Sequence, residues 1–348
     1  MILLYGANGY TGQLIIQRAL EKGLKPIIAG RNAPLVQQLA QRYNLDHRVF
    51  ALDNQNEIQK GLEGIKVVLH AAGPFKFTSQ PMVEACLKNK THYLDITGEI
   101  EVFERCASYD KQAQEAGIMV MPGAGFDVVP SDCLAAHLKK RLPDATQLQM
   151  AFAGGSGLSQ GTAKTAVENL GRGGAVRKNG KILVVPNAHK TLEIDFGGKK
   201  MLTVCIPWGD VATAWRSTRI PDIEIYTGAN SKMVLAMRFA NALGWLLRTK
   251  TVRQYLKKRI ESGPPGPSDT RRGKSRSYFW GKVTNAAGKT CISTQETPEG
   301  YTLTAMTSVA IAQNVLNGNF KAGYQTPSMA YGADFILEME GCVRKDVQ

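Results

Sequence analysis

The sequence predicts an α/β fold with a parallel sheet first and a second α+β domain after it. Over residues 1–130, short apolar runs alternate with amphipathic helical patterns, which is typical of βαβ units. After about residue 146 the apolar runs follow one another with turns between them, which favours an antiparallel sheet. The length of 348 residues agrees with two domains, expected over 1–130 and from 131 onward to 321.

The opening stretch Met1–Gly12 organises the first domain. The apolar run Ile2–Tyr5 is long enough for a buried strand, and an apolar pattern at helical spacing follows it. Between them, three glycines in a GxxGxxG spacing permit a sharp turn, close approach of a pyrophosphate and tight helix–strand packing. The alternative is a tight turn that binds nothing. The predicted phosphate-binding residues are Gly6, Ala7, Asn8, Gly9, Tyr10, Thr11 and Gly12.

Residues after the next strands predict which dinucleotide binds. Arg31 follows an apolar run at Pro26–Ala29, and no Asp or Glu lies between Lys22 and Asp46. An acidic residue would suit the ribose hydroxyl of NAD, whereas arginine suits the 2′-phosphate of NADP. The alternative for Arg31 is a solvated charge. Asp53 either contacts the adenine or caps a helix over Asn56–Leu62. Further cofactor contacts are expected from Asn32, Ala72, Gly73, Pro74 and Phe75.

The remaining elements of the first domain continue the alternation. Helical patterns are predicted over Ala33–Tyr43, Pro81–Lys88 and Val102–Ala116, and strands over Val49–Leu52, Lys66–His70, Tyr93–Ile96 and Ile118–Met121.

Positive charge is concentrated in one segment of a chain whose net charge is +14. Residues 248–276 hold ten Lys and Arg against two acidic residues, a local net charge of +8 that predicts an anionic partner. This segment follows a long helical pattern over Ser231–Ile260, in which Trp245 lies off the apolar face. That face is formed by Leu235, Phe239, Leu243 and Leu246, with Arg238, Asn241 and Arg248 pointing away.

Three interpretations of 231–276 stay open. The segment is an interfacial contact with an anionic membrane surface, a docking face for an acidic acyl carrier protein, or an ordinary helix packed on the second-domain sheet. Residues 262–277 are expected to form a flexible basic loop. The sequence contains no nucleic-acid-binding motif, and a homodimer is a further open alternative.

Cysteine usage and hydropathy predict a cytoplasmic protein, with peripheral membrane attachment as an alternative. The six cysteines form neither CxxC nor a Cys/His pair at zinc-ligand spacing, so no metal is expected. The first strand begins at residue 2, which argues against a signal peptide, and no uncharged apolar run is long enough to span a membrane.

Several motifs together resemble a known family. In order they are GANGYTG, AGRN, AAGPF, THYLDITGE, PGAGFDVVPSD, GGSGLSQGT, GPPGPS and TPSMAYGADFILE. The chain resembles the saccharopine dehydrogenase-like oxidoreductases, in particular the trans-acting enoyl reductase branch. The resemblance implies an NADP-binding Rossmann domain, a second α/β domain, and double-bond reduction in some lineages. It also implies that residues 322–348 return to the first domain through a helix over Ser328–Glu338. Where family members often carry glycine, this chain has Lys90 in a predicted loop.

Patterns in the second domain leave some alternatives open. GGSGLSQGT either surrounds a substrate head group or forms a loop whose Ser159 or Thr162 caps the next helix. Two late strands that pair with each other are predicted at Cys291–Thr294 and Tyr301–Val309. The Tyr-x-x-x-Lys spacing at Tyr278–Lys282 lies in a predicted strand, so it does not indicate a short-chain dehydrogenase.

The expected activity is NADPH-dependent reduction of the C=C bond of a lipid-like or polyketide enoyl thioester, free or carrier-bound. This reaction needs a positioned hydride, an oxyanion stabiliser and a proton donor. The candidate catalytic residues near the expected crevice are Tyr93, Asp95, Glu99, Asp127, Ser131, Asp132 and Lys164. One alternative is an imine or amino-acid reductase, which needs convergent arginines such as Arg172, Arg177, Arg216 and Arg219. Another is a non-catalytic NADP-binding protein at a membrane surface.

Overall fold

The computed structural model describes residues 1–347. The chain forms two compact units, which are described separately below. Unit 1 comprises Met1–Val129 and Tyr301–Ala330, and unit 2 comprises Pro130–Gly300 and the chain from Tyr331 onward.

The strands of the described residues, in chain order, are β1 (Ile2–Tyr5), β2 (Ile27–Gly30), β3 (His47–Val49), β4 (Val67–His70), β5 (His92–Asp95), β6 (Met119–Met121), β7 (Ala145–Gly154), β8 (Gly174–Lys178), β9 (Lys181–Val185), β10 (Thr191–Asp195), β11 (Lys200–Cys205), β12 (Asp222–Gly228), β13 (Arg276–Asn285), β14 (Thr290–Pro298), β15 (Gly323–Tyr324) and β16 (Val343–Asp346).

The helices are α1 (Tyr10–Glu21), α2 (Ala33–Tyr43), α3 (Gln55–Gly61), α4 (Phe75–Asn89), α5 (Ile100–Ser108), α6 (Asp110–Ala116), α7 (Val129–Arg141), α8 (Gln160–Asn169), α9 (Asp210–Thr218), α10 (Ser231–Ala242), α11 (Gly244–Leu247), α12 (Lys250–Glu261), α13 (Asp269–Lys274), α14 (Gly300–Leu316) and α15 (Pro327–Tyr331). A short 3₁₀ helix follows at Phe335–Glu338.

Unit 1 contains the predicted parallel sheet. Within residues 1–347 its seven strands run in the order β15-β6-β5-β4-β1-β2-β3, and every neighbouring pair is parallel. The central strand β1 is completely buried, and Leu4 lies beside Ile28 on one side and Leu69 on the other. From β1 the strand order extends in both directions, so a topological switch point lies at the carboxyl ends of β1 and β4.

Unit 1 is completed by a helix where we predicted a strand. Tyr301–Val309 lies within α14, so the predicted pairing of this segment with Cys291–Thr294 is wrong. The alternating threonines resemble a strand pattern, but the helix is buried on most of its surface. Inside it, the hydroxyls of Thr307 and Ser308 donate to the carbonyls of Leu303 and Thr304, at 3.0 and 2.6 Å. These bonds satisfy the buried hydroxyls without a sheet.

Other boundaries in and around unit 1 also differ from expectation. The helix predicted over Val102–Ala116 is broken at Tyr109 into α5 and α6. The predicted return of 322–348 to the first domain is right only for its first residues: β15 pairs with β6, but the chain from Tyr331 belongs to unit 2, and the returning segment is Tyr301–Ala330. The helix predicted over Ser328–Glu338 ends at Tyr331, since Gly332 has φ +90°. Beyond it, β16 pairs with β14 in unit 2.

Unit 2 is built on a mixed sheet rather than the antiparallel sheet we predicted. Among the described residues this sheet has nine strands. Seven of them run in the order β10-β11-β12-β7-β13-β14-β16, while β8 pairs with β12 and β9 pairs with β8. The pair β7–β12 is parallel and the other pairs are antiparallel. The stretch between these two strands is long enough for the crossover that a parallel pair needs.

The helical segment 231–261 is not one helix. It consists of α10, α11 and α12, with interruptions at Leu243 and at Arg248–Thr249. The predicted apolar stripe faces solvent, since Leu235 and Phe239 are exposed, and Val234 is the residue of α10 that is buried. Within residues 1–347, no helix is long and apolar enough to cross a membrane.

Candidate functional site

The glycine turn between β1 and α1 forms a cradle that larger residues would fill. Gly6 has φ +88°, and a Cβ there would lie 2.8 Å from backbone atoms of Ala71 and Ala72. A Cβ at Gly12 would lie 2.4 Å from the Gly6 carbonyl oxygen. Helix α1 begins after Gly9 without a side-chain cap and without an acidic residue in its first turn. The turn therefore fits a pyrophosphate, which would meet backbone N–H groups and the positive end of the helix dipole.

Arg31 and Asp53 lie at the same edge of the sheet. Both are exposed, and both act electrostatically on Tyr5, whose hydroxyl donates to the Phe50 carbonyl at 3.0 Å. Burial raises the pKa of Tyr5 to about 12, while Arg31 opposes this shift and Asp53 adds to it. The arrangement leaves the Arg31 guanidinium accessible to a phosphate at the carboxyl ends of β1 and β2.

Two asparagines perform the capping in this region. The Asn32 side chain accepts from the Leu35 amide at 3.2 Å and caps α2. Asn54, not Asp53, caps α3, so the capping alternative for Asp53 is wrong. Asn8 lies beside Gly30 at the end of β2, because a Cβ added to Gly30 would be 3.2 Å from the side-chain oxygen of Asn8.

The loop after β4 carries the predicted Ala72, Gly73, Pro74 and Phe75. The Ala72 carbonyl accepts a hydrogen bond from the Thr78 hydroxyl at 2.7 Å, which fixes the loop against α4. Phe75 is buried and its ring packs edge-on against His70, so it supports the loop from beneath.

Two buried groups complete this loop: the predicted candidate Glu99 and His70, which was not predicted as a site residue. Glu99 accepts from the amides of Phe75 and Lys76 at 2.8 and 3.1 Å, and so caps α4 from the loop after β5. Burial raises the pKa of Glu99 and lowers the pKa of His70 to about 3, so this histidine is neutral near pH 7.

Asp95 joins the loops after β5 and β6. It is completely buried and accepts from the Tyr93 hydroxyl at 2.7 Å, and from the amides of Thr97 and Gly123 at 2.9 Å each. Burial raises the pKa of Asp95 to about 6, although these hydrogen bonds favour the ionised form. The Tyr93 side chain is fully buried with its hydroxyl on Asp95, which gives it a positioning role in the structure.

Asp127 is the predicted catalytic residue that lies at this edge of the sheet. A Cβ at Gly98 would be 2.7 Å from an Asp127 carboxyl oxygen, which places the carboxyl group against the loop that follows β5. The side chain is partly exposed, yet the surrounding protein raises its pKa to about 7. A carboxyl group with this pKa exchanges protons readily near neutral pH.

Helix α14 holds the Asp127 loop from the other side. The Phe126 amide donates to the Thr304 hydroxyl at 3.0 Å, and the Thr307 hydroxyl lies 2.9 Å from the Ala124 carbonyl. Tyr301, at the start of this helix, packs edge-on against Tyr10 with ring centroids 5.1 Å apart. Sequence analysis missed these residues; the available signal was a threonine pair in an otherwise apolar segment.

The other predicted catalytic residues lie in unit 2. Ser131 and Asp132 are buried in the first turns of α7. Lys164 forms a salt bridge with Glu261 at 2.8 Å. In the GGSGLSQGT segment, the Ser159 hydroxyl accepts from the Thr162 amide at 3.2 Å, which confirms the capping alternative.

Two of the four arginines considered for a carboxylate site contact other groups in unit 2. Arg177 is buried and donates to the carbonyls of Val211 and Gly180, each at 2.7 Å. Arg177 and Arg219 both lie over the ring of Trp215. This arrangement directs the Arg177 guanidinium toward backbone groups rather than toward a substrate carboxylate.

The parallel sheet, glycine turn and accessible arginine define unit 1 as a dinucleotide-binding domain of the Rossmann class. Residues 2–121 match the family described as the saccharopine dehydrogenase NADP-binding domain. NADP is accordingly the cofactor of the domain, as Arg31 predicted.

Relatives and a solved structure extend the comparison. A mouse saccharopine dehydrogenase-like oxidoreductase is 27% identical over 203 residues, covering 51% of this chain and 47% of that protein. A trans-acting enoyl reductase of Mycobacterium ulcerans (strain Agy99) is 29% identical over 148 residues, covering 40% and 35% respectively. The matches thus span about half the length, or less, of these curated relatives.

Apo saccharopine dehydrogenase (L-Glu forming) from Saccharomyces cerevisiae has a similar fold, with a TM-score of 0.64 at 16% identity. The match covers 100% of this chain and 99% of that one. This likeness supports the α/β fold prediction as a whole.

Proposed function

We propose that this protein is an NADPH-dependent oxidoreductase that reduces the C=C bond of a lipid-like enoyl thioester. The observation that carries the proposal is the carboxyl edge of the first sheet, where an NADP-binding turn and the proton-exchanging Asp127 lie in one unit. The enoyl reductase name of the M. ulcerans relative supports the choice of substrate class.

The chain's own residues bind and orient the cofactor. The first turn of α1 would hold the pyrophosphate and Arg31 the 2′-phosphate, while the loop at Ala72–Gly73 lines the path toward the reacting ring. When bound, NADPH supplies a hydride to the β-carbon of the enoyl group.

Asp127 is the proposed proton donor. Hydride addition at the β-carbon leaves an electron pair shared between the α-carbon and the thioester oxygen, and the α-carbon must then take a proton. The pKa of Asp127 of about 7 keeps a substantial fraction protonated at neutral pH. Two hydrogen bonds hold the loop that presents it: the Thr304 hydroxyl accepts from the Phe126 amide, and the Thr307 hydroxyl donates to the Ala124 carbonyl.

The test measures NADPH oxidation through the nicotinamide absorbance, with short-, medium- and long-chain 2-enoyl-coenzyme A thioesters as substrates. Asp127→Asn is expected to lower kcat by roughly 100-fold or more, as for loss of a general acid, while NADPH affinity changes less than about twofold. For the wild type, kcat should fall as pH rises through about 7, because the protonated carboxyl is the active form.

Asp46→Asn provides the matched control, since Asp46 is an exposed aspartate of the same unit. This variant should retain both kcat and the pH profile. Failure of every enoyl thioester, with NADPH still bound, would reject C=C reduction; turnover of an amine with a 2-oxo acid would instead support an imine reductase.

A further inference from the structure

Helix α10 packs on unit 2 with the face opposite to its apolar stripe. Val234 is buried in a small cluster with Ala188 and Val204, and the Asn241 side chain exchanges hydrogen bonds with the Asn187 backbone at 2.8 and 3.1 Å. Because these inward positions recur at helical spacing, the stripe at Leu235 and Phe239 faces solvent.

The outward stripe is unusually apolar for an exposed surface. Leu235 is 57% and Phe239 65% exposed, and the chain continues into α11, where Trp245 is 72% exposed. Leu243 and Leu246 are also exposed. Such a group of large apolar side chains marks a surface that contacts an apolar phase or partner.

Basic residues border the stripe on α10. On a helix of 3.6 residues per turn, Lys232 and Arg238 lie about 60° to either side of Leu235. Both are exposed. Long basic side chains in these positions can extend beside apolar groups that enter a lipid surface and reach phosphate headgroups.

Helix α12 extends the positive charge. Residues 231–261 contain eight Lys and Arg and a single acidic residue, Glu261. Arg253 and Lys257 pair with Glu168 and fix α12 to α8, whereas Lys250, Lys258 and Arg259 are exposed. The exposed Tyr255 adds an amphipathic ring to this surface.

We propose that the exposed side chains of 231–259, here called the basic amphipathic surface, bind a bilayer bearing anionic phospholipid headgroups. The charge matches such headgroups, and the apolar stripe needs a partner that accommodates protruding rings without a preformed pocket. An acidic carrier protein would match the charge but would require fitted cavities for Phe239 and Trp245. This inference does not depend on the reaction proposed for unit 1.

The test is co-sedimentation of the full-length protein with sucrose-loaded vesicles of phosphatidylcholine alone or mixed with phosphatidylglycerol. Binding is expected only with the anionic lipid, and high salt should weaken it. Phe239→Ser with Trp245→Ser should lower vesicle affinity by at least about tenfold. Exchanging Lys232, Arg238, Lys250 and Arg259 for Gln should lower it by roughly tenfold or more.

Leu183→Ser with Val184→Ser is the matched control, because these two exposed apolar residues lie on β9 of the same unit. This variant should bind vesicles as the wild type does, and circular dichroism should show all variants folded. Absence of binding to anionic vesicles, or equal losses in the control, would overturn the proposal. Self-association in analytical ultracentrifugation that Phe239→Ser abolishes would overturn it too, because a second copy would then cover the surface.

Discussion

Substituting Gly12 by alanine tests the cofactor site most directly. The added Cβ would lie 2.4 Å from the Gly6 carbonyl oxygen and 2.8 Å from that of Ala7, both rigid backbone atoms. Reaching even 3.0 Å requires the Gly6 oxygen or the start of α1 to move by about 0.6 Å. The same oxygen accepts from the Gly9 amide at 3.0 Å, so the shift disturbs the turn that would hold the pyrophosphate.

Overpacking of this kind costs about 2 kcal/mol, which corresponds to a roughly thirtyfold weaker Kd if the loss falls on the bound state. NADPH fluorescence titration measures the affinity, and urea unfolding measures the stability. We expect Gly12→Ala to bind NADPH more weakly and to unfold at a lower urea concentration than the wild type.

Gly23→Ala separates these effects. Gly23 follows the same helix with φ +71°, and nothing lies within 4 Å of its Cβ position. Alanine there costs roughly 1–2 kcal/mol of stability through backbone strain, with no effect expected on NADPH. The reasoning is refuted if Gly12→Ala binds NADPH normally or if Gly23→Ala weakens binding equally.

Three further predictions follow from the charged residues. Arg31→Ala should weaken NADPH binding by roughly 10- to 100-fold and leave NADH binding unchanged in the same titration, since it removes a charge-assisted contact; an unchanged NADPH-to-NADH preference would contradict this. The pKa of Asp95 is raised to about 6 in the folded protein, so Asp95 ionises in the unfolded chain first and the free energy of unfolding falls by up to about 3 kcal/mol as pH rises from about 4 to 6. Asp95→Asn should flatten this pH dependence in urea unfolding, and an identical slope would contradict the prediction. Lys164→Gln breaks a solvent-accessible pair with Glu261, so the urea midpoint should match that of the wild type and kcat should change by less than about twofold. A collapse of turnover would instead restore Lys164 as a catalytic residue.

The first sheet was predictable because its strands are short apolar runs between helical patterns. Strand β1 has the predicted bounds, since burial on both faces leaves a continuous apolar signal. Helix α2 also has the predicted bounds, because its buried Val36, Leu39 and Ala40 recur at helical spacing. Lys90, which stands where the family often has glycine, has φ +52°, so the helix-ending turn explains the glycine preference.

The wrong secondary-structure prediction came from a segment whose buried environment outweighs its local sequence pattern. Tyr301–Val309 alternates like a strand but is buried as helix α14, where internal hydrogen bonds satisfy its hydroxyls. Helix α10 has the apolar stripe that its periodicity predicts, and the sequence left open whether protein or solvent covers it; the stripe is exposed, and Val234 is buried in its place. A periodicity identifies a face without showing what covers it.

The candidate site was predicted in part. The glycine turn and Arg31 follow local rules of backbone conformation and charge, so their sequence signal is strong. The contacts of Thr304 and Thr307 with the Asp127 loop join residues 178 and 183 positions away from their partners, and no local pattern announces such a pairing.

That long separation bears on how the protein is made. The ribosome releases all of Met1–Val129 and then Pro130–Gly300 before Tyr301–Ala330 emerges. While the intervening unit is synthesised, the nascent segment Met1–Val129 is therefore incomplete: its strand β6 lacks β15, and its Asp127 loop lacks α14. Chaperone protection during translation would matter most in this interval.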